Sequence, residues 1–214
     1  MKTRDTIEAD IAGLVTSHYY SEDYELEWAA KVYYDALEPW ERECFQAIML
    51  ERLAGARPGL ADVTMVTRLR VPAFTPHLVA WLNRQDSGST TSRALLTVLT
   101  LQPDEQAYAS VERFLDSELE GEALTCLARI DFQRTVPALR WAMQKEHLHN
   151  FCIHALHEFK ERYGMDALLE MVGQLVAPDP GVLGPHLAKV MRSKRGAFSP
   201  FSSGEVEQVL PILA

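Results

Sequence analysis

TPHLVAWLNRQDSGSTTSRALLTVLTL, residues 75–101, decides how the rest of the chain is read. Leu78, Trp81 and Leu82 stand at i, i+3 and i+4, the spacing that brings three apolar side chains onto one face of a helix. Ser87-Gly88-Ser89 then punctuates the chain, and Ala94-Leu95 with Val98 opens a second run of the same period. The stretch predicts two helices joined by a short turn.

Both patterns recur on either side of it. A small or aliphatic pair followed by an apolar residue one turn on appears at Met65-Val66/Leu69, Ala94-Leu95/Val98, Ala123-Leu124/Leu127, Ala155-Leu156/Phe159 and Leu187-Ala188/Met191, with starts 29, 29, 32 and 32 residues apart. The i, i+3, i+4 triplet appears at Leu78/Trp81/Leu82, Val111/Phe114/Leu115, Leu139/Ala142/Met143, Leu168/Met171/Val172 and Val206/Val209/Leu210, with starts 33, 28, 29 and 38 apart. Two interleaved series that keep step over about 150 residues are the signature of a repeat array. No stretch alternates apolar and polar residues between hairpin turns, and Gly and Pro gather at 54–59, 87–89, 103, 177–181 and 199–200. The chain reads as all-α, built of many short helices.

Thr75-Pro76-His77-Leu78, Leu82, the turn residue Asp86 and Arg93-Ala94-Leu95-Leu96 together resemble a HEAT or HEAT-like repeat. Val136-Pro137-Ala138-Leu139 followed by Ala155-Leu156 repeats the Pro and Ala-Leu elements, and the best-formed units cover 75–102, 103–132, 134–163 and 166–193. The resemblance implies a right-handed α-solenoid of about five stacked antiparallel helix pairs, armadillo-like in outline, that holds another macromolecule along its concave side. It assigns 61–193 to the repeats, within one continuous domain. A pair of about 30 residues cannot bury both apolar faces alone, so neighbours must stack and the ends must be capped. Residues 1–57, read as helices near 4–18, 22–37 and 39–54, supply the N-terminal cap, and 194–214 supply a C-terminal capping helix.

Charge and cysteine usage narrow the partners. With 21 Lys and Arg against 30 Asp and Glu the net charge is -9, which repels phosphate backbones and anionic lipid, so nucleic acid is not the expected partner. Cys44, Cys126 and Cys152 match no metal-knuckle spacing and fit a reducing compartment. The N-terminus has no apolar leader and no window approaches a membrane span, so the expectation is a soluble, cytoplasmic protein without membrane contact.

Chemistry-bearing groupings are few. His147, His149, His154 and His157 fall within eleven residues, and His154 and His157 with Glu158 and Glu161 could in principle share a metal ion on one helix face. The same spacing suits a polar face of His–Glu pairs, which is the preferred reading. Cys152 sits between Phe151 and Ile153, as a packed thiol does. Nucleophile-elbow, phosphate-loop and dinucleotide motifs are absent. HEAT-like DNA glycosylases carry a Trp and an Asp at helical spacing, yet the residues four after Trp28, Trp40, Trp81 and Trp141 are Val32, Cys44, Gln85 and Lys145. Nothing local marks the tetrapyrrole site of the HEAT-like bilin lyases. Lys189, Arg192, Lys194 and Arg195 gather at a helix end, where cations meet the dipole.

The most unusual composition lies between 19 and 40, which holds five of the seven tyrosines and two of the four tryptophans among acidic residues. Residues 1–60 carry 12 acids against 6 bases, whereas 181–214 carry 2 against 4. Aromatic side chains with polar tips suit both an end cap and an interface, and the acids would steer a basic partner. The expected role is a non-enzymatic scaffold or adaptor that binds another protein, a basic one being favoured by the acidic segment, with no cofactor, metal or catalytic residue. Its candidate contact surface is Tyr19, Tyr20, Glu22, Asp23, Tyr24, Glu25, Glu27 and Trp28, with Arg93, Glu122, His154 and His157 in the groove. The alternatives are an immunity- or inhibitor-type protein that neutralises a basic toxin, and a metal- or cofactor-binding enzyme built on His147–Glu161.

Overall fold

The computed structural model describes residues 2–17, 23–55, 59–86, 88–192 and 200–213, and all the regular structure among them is helical. Helix α1 spans Arg4–Ser17, α2 Asp23–Asp35, α3 Pro39–Ala54, α4 Leu60–Val66, α5 Thr75–Leu82, α6 Thr90–Leu101 and α7 Tyr108–Glu112. Then come α8 at Glu120–Ile130, α9 at Phe132–Met143, α10 at His149–Tyr163, α11 at Met165–Val176, α12 at Pro180–Arg192 and α13 at Ser203–Val209. None of the helices among the described residues is long and apolar enough to cross a membrane.

Short polar side chains set several of these starts. The Ser89 hydroxyl accepts from the Ser92 N–H at 3.0 Å, the Asp131 carboxylate from the Arg134 N–H at 3.0 Å, and the Ser202 hydroxyl from the Glu205 N–H at 3.3 Å. Pro39 opens α3, where no N–H is needed, and the Glu41 carboxylate reaches back to accept from the Glu38 N–H at 3.1 Å. Pro180 and Gly181, read as part of a loop, form the first turn of α12 for the same reason. The first helix expected in the 103–132 unit is broken into α7 and two flanking 3-10 turns, Glu105–Ala107 and Arg113–Asp116. The Asp104 carboxylate accepts from the Gln106 N–H at 2.9 Å, the Ser117 hydroxyl donates to the Phe114 carbonyl at 2.8 Å, and the Ala107 and Ser117 N–H groups donate three residues back, to the carbonyls of Asp104 and Phe114.

The chain forms two compact units, Met1–Ser110 and Val111–Ala214. Within the first, α2, α4 and α6 touch in succession, as do α1, α3 and α5, and each odd-numbered helix also meets the even-numbered one that follows. Within the second, α8, α10 and α12 touch in succession, as do α9, α11 and α13, with odd again meeting even. The two sequence series fall on these alternate helices. Met65-Val66, Ala94-Leu95, Ala123-Leu124, Ala155-Leu156 and Leu187-Ala188 lie on α4, α6, α8, α10 and α12, and the triplets lie on α5, the α7 region, α9, α11 and α13. Most of these residues are buried. Phe45, Met49, Met65, Leu78, Leu82, Leu95 and Leu99 belong to the interior of the first unit, and Leu139, Met143, Leu156, Leu168, Met171 and Val190 to that of the second.

Three glycines in the second unit stand where a side chain would be resisted, one by its backbone angle and two by close neighbours. Gly164 alone joins α10 to α11, with φ at +88°, a backbone state that side chains resist. Gly121 on α8 faces the ring of Phe151 on α10, and a Cβ there would overlap the ring. A Cβ on Gly184 of α12 would stand 2.6 Å from the backbone carbonyl oxygen of Leu213. The half-buried Phe151 ring can turn aside, and alanine's better helix propensity, about 1 kcal/mol, offsets part of the crowding at Gly121. A backbone carbonyl yields far less readily. Gly184→Ala is therefore expected to lose about 1–3 kcal/mol and Gly121→Ala less, measured as urea unfolding midpoints of the two variants against the parent.

Candidate functional site

Two places on the molecule concentrate polar chemistry, one in each unit. In the first unit α2 packs on α4, and α4 on α6. Helix α4 ends in a tight turn in which the Thr67 and Leu69 N–H groups donate to the carbonyls of Thr64 and Val66, at 3.2 Å each. Arg70 then takes φ +52°, the one non-glycine residue with positive φ among those described, and Val71 and Pro72 lead into the next turn. The result is a hollow of about 400 Å³ lined by Trp28 and Lys31 of α2, Thr67–Arg70 of the turn, and Leu101 at the end of α6.

Three cations and an indole face this hollow, and among the described residues no carboxylate lines it. The Arg68 guanidinium stacks 4.6 Å from the Trp28 ring centre while its Nε donates to Glu27 at 2.7 Å. Lys31 pairs with Asp35 one turn on, at 2.5 Å. Arg70 is exposed and has no ion-pair partner among the described residues. Trp28 remains 44% exposed. One residue beyond Leu101, the Gln102 amide has both its nitrogen and its oxygen buried without a hydrogen-bond partner.

In the second unit a chain of ion pairs ties neighbouring helices. Arg129 of α8 donates through Nε and Nη2 to both carboxylate oxygens of Glu158 on α10, a bidentate pair. Glu120, which opens α8, accepts from Lys145 at 3.0 Å and shares a hydrogen bond with the His147 imidazole at 2.5 Å, and the Lys145 ammonium sits 3.4 Å from the centre of the Trp141 ring. Burial works to raise the pKa of Glu120, but the hydrogen bonds from His147 and Lys145 outweigh it and hold the carboxyl below its ordinary range. Arg140 of α9 donates to the carbonyls of Leu175 and Gln174 at 3.0 and 2.6 Å, which satisfies the last turn of α11.

The candidate residues read from the sequence are distributed as follows. Tyr19, Tyr20 and Glu22 lie outside the described residues, and Asp23 and Tyr24 open α2. Glu25 is exposed, whereas Glu27 is engaged with Arg68. Arg93 is exposed on α6 in the first unit; Glu122 on α8 and His154 and His157 on α10, all partly buried, belong to the second. Arg93, Glu122 and His154 share one register, each directly before the small–aliphatic pair of its helix, and His186 takes that position on α12. Three of the four clustered histidines meet separate partners. His147 meets Glu120, His149 is buried against the Met143 carbonyl at 2.9 Å, and His157 lies 3.8 Å from Glu161 and edge-on to Phe201. Glu158, expected to serve the histidine face, is taken by Arg129 instead. Among the described residues no three His, Cys, Asp or Glu side chains are placed to hold a metal ion together. Lys189 pairs with Glu146 at 2.8 Å, and Lys194 and Arg195 lie outside the described residues.

Lys31, Arg68 and Arg70 are not among the site residues expected from the sequence. Lys31 follows Trp28 by three residues on one helix face, a signal available in the sequence; Arg68 and Arg70 reach that face only through the turn after α4. Compared with protein-family models, curated proteins and solved structures, the chain matches none of them.

Glu120 contributes stability above the ordinary carboxylate range, and that contribution is lost as pH falls through and below it. The urea midpoint of the parent is expected to drop between pH 7 and pH 4, and Glu120→Gln to show a smaller drop, the difference being no more than about 1 kcal/mol. Cys152 is buried, and burial pushes its thiol up to about 12. Cys126 is buried as well, whereas Cys44 is partly exposed. In a thiol-labelling assay near neutral pH the folded protein should modify Cys44 first, and Cys126 and Cys152 only as it unfolds.

Proposed function

We propose that the chain is a non-enzymatic scaffold that binds another protein, organised as a HEAT-like solenoid of stacked helix pairs. The observation that carries this reading is the register shared by Arg93, Glu122, His154 and His186 on α6, α8, α10 and α12. Each stands immediately before the pair that anchors its helix in the interior, so one polar position recurs once per repeat, as it would on a surface that meets a partner over several units. The succession of even helices against even and odd against odd within each unit supports the same organisation.

Function in such a protein arises from shape and charge complementarity over a large area, and no covalent step is involved. The acidic residues at 22–25 form a second contact, for a basic region of the partner. Capture of a single basic protein in a tight, salt-sensitive complex would make the scaffold an inhibitor of the immunity type.

Affinity capture from the native lysate with elution in a salt gradient, followed by reconstitution with the purified partner, tests the proposal. A stoichiometric complex is expected, with affinity reduced at least about tenfold by Glu122→Lys combined with His154→Glu, equivalent to about 1.4 kcal/mol. Joint charge reversal at Glu22, Asp23 and Glu25 should chiefly slow association and flatten its salt dependence. A complex indifferent to both sets, or no reconstituted complex, overturns the reading.

A further inference from the structure

The surroundings of Trp28 differ from those of the acidic segment just before it. Lys31, Arg68 and Arg70 line the hollow beside the indole, and the carboxylates of Glu27 and Asp35 sit behind two of them as ion-pair partners. Among the described residues, Arg70 supplies the charge without an ion-pair partner. A chain with net charge -9 thus holds a local cationic recess next to a half-exposed aromatic ring.

One unfavourable feature lies in the lining itself. Arg70 occupies the left-handed backbone region, which costs an arginine energy that a glycine would not lose. Departures from local stability of this kind concentrate at binding sites. The hollow's volume of about 400 Å³ matches a ligand of one or two rings.

We propose that this hollow binds an aromatic anion, a planar ring lying against the exposed part of Trp28 with its phosphate or carboxylate held by Arg70 and Lys31. The guanidinium of Arg68 is fixed on the indole by Glu27, so the wall that receives the ring is rigid before the ligand arrives. Arginine offers a planar pair of donors to an oxyanion, and lysine adds a point charge. This inference stands apart from the scaffold reading and does not require a protein partner.

Isothermal titration of the full chain with adenosine 5′-monophosphate and with phenyl phosphate tests it, with adenosine and inorganic phosphate as the half-ligands. Both aromatic phosphates are expected to bind one to one, each at least about tenfold tighter than either half-ligand. Binding of the nucleotide alone would narrow the ring class to a nucleobase and still support the site. Arg70→Gly should weaken binding about tenfold while the melting temperature stays close to the parent's, because relief of the left-handed strain offsets the larger unfolded-state entropy of glycine. Trp28→Leu should abolish the preference for aromatic over inorganic phosphate. The proposal fails if neither aromatic phosphate binds, if inorganic phosphate binds equally well, or if both variants bind as the parent does.

Discussion

A helix of about a dozen residues does not hold its shape in water unless something covers its apolar face. Most helices of this protein are of that length or shorter, and α4, α5 and α7 have only 7, 8 and 5 residues. Each must therefore give its apolar face to others. Leu78, Trp81 and Leu82 of α5, or Leu168, Met171 and Val172 of α11, are buried only because helices on more than one side close over them. Within each unit, the contacts between alternate helices and between each odd-numbered helix and an even-numbered neighbour answer that requirement, and the tight glycine contacts at Gly121 and Gly184 follow from bringing such short rods close enough to seal.

Much of this was legible in the chain. The period of Leu139/Ala142/Met143 and the pair Ala155-Leu156 identify helix faces because burial selects residue type directly, and the structure places both sets inside. Pro39 is a start signal because its chemistry acts within one turn, and the punctuation at Ser87-Gly88-Ser89 stops where Ser89 caps α6. Contacts formed between elements were not legible. No local rule sends Glu158 to Arg129 of another helix when His154 stands one turn away, and none brings Arg68 beneath Trp28 across 40 residues. The interruption of α7 escaped for another reason: its apolar triplet is helical in period, and only the bonds at Asp104 and Ser117 shorten it.

Formal charge is a poor guide to the charge a partner would meet. Asp62 is held by Arg52 at 2.6 Å, Glu27 by Arg68, Glu158 by Arg129, and Glu205 by Lys160 at 3.0 Å. Asp10 accepts from Lys2 at 2.7 Å and from the Tyr33 hydroxyl at 2.9 Å. Burial, with Asp10 beside it, pushes that phenol up to about 12. These acids fasten elements within a unit. The electrostatic character of the surface is set instead by residues outside such pairs among those described, Glu25 and Arg70 included.

The single-residue corner at Gly164 constrains how this chain can vary over generations. Helices α10 and α11 meet there with no slack, so one added residue would have to be absorbed by a helix, turning its face by about 100° per position. Leu168 and Leu175, or Cys152 and Leu156, would then leave the interior. Changes in length are tolerated where several residues separate two helices, as between α4 and α5 or between α8 and the elements before it. Drift in repeat length is thus expected to accumulate at those joins while the α10–α11 corner keeps its count, a fixed point against which distant copies of the sequence can be aligned.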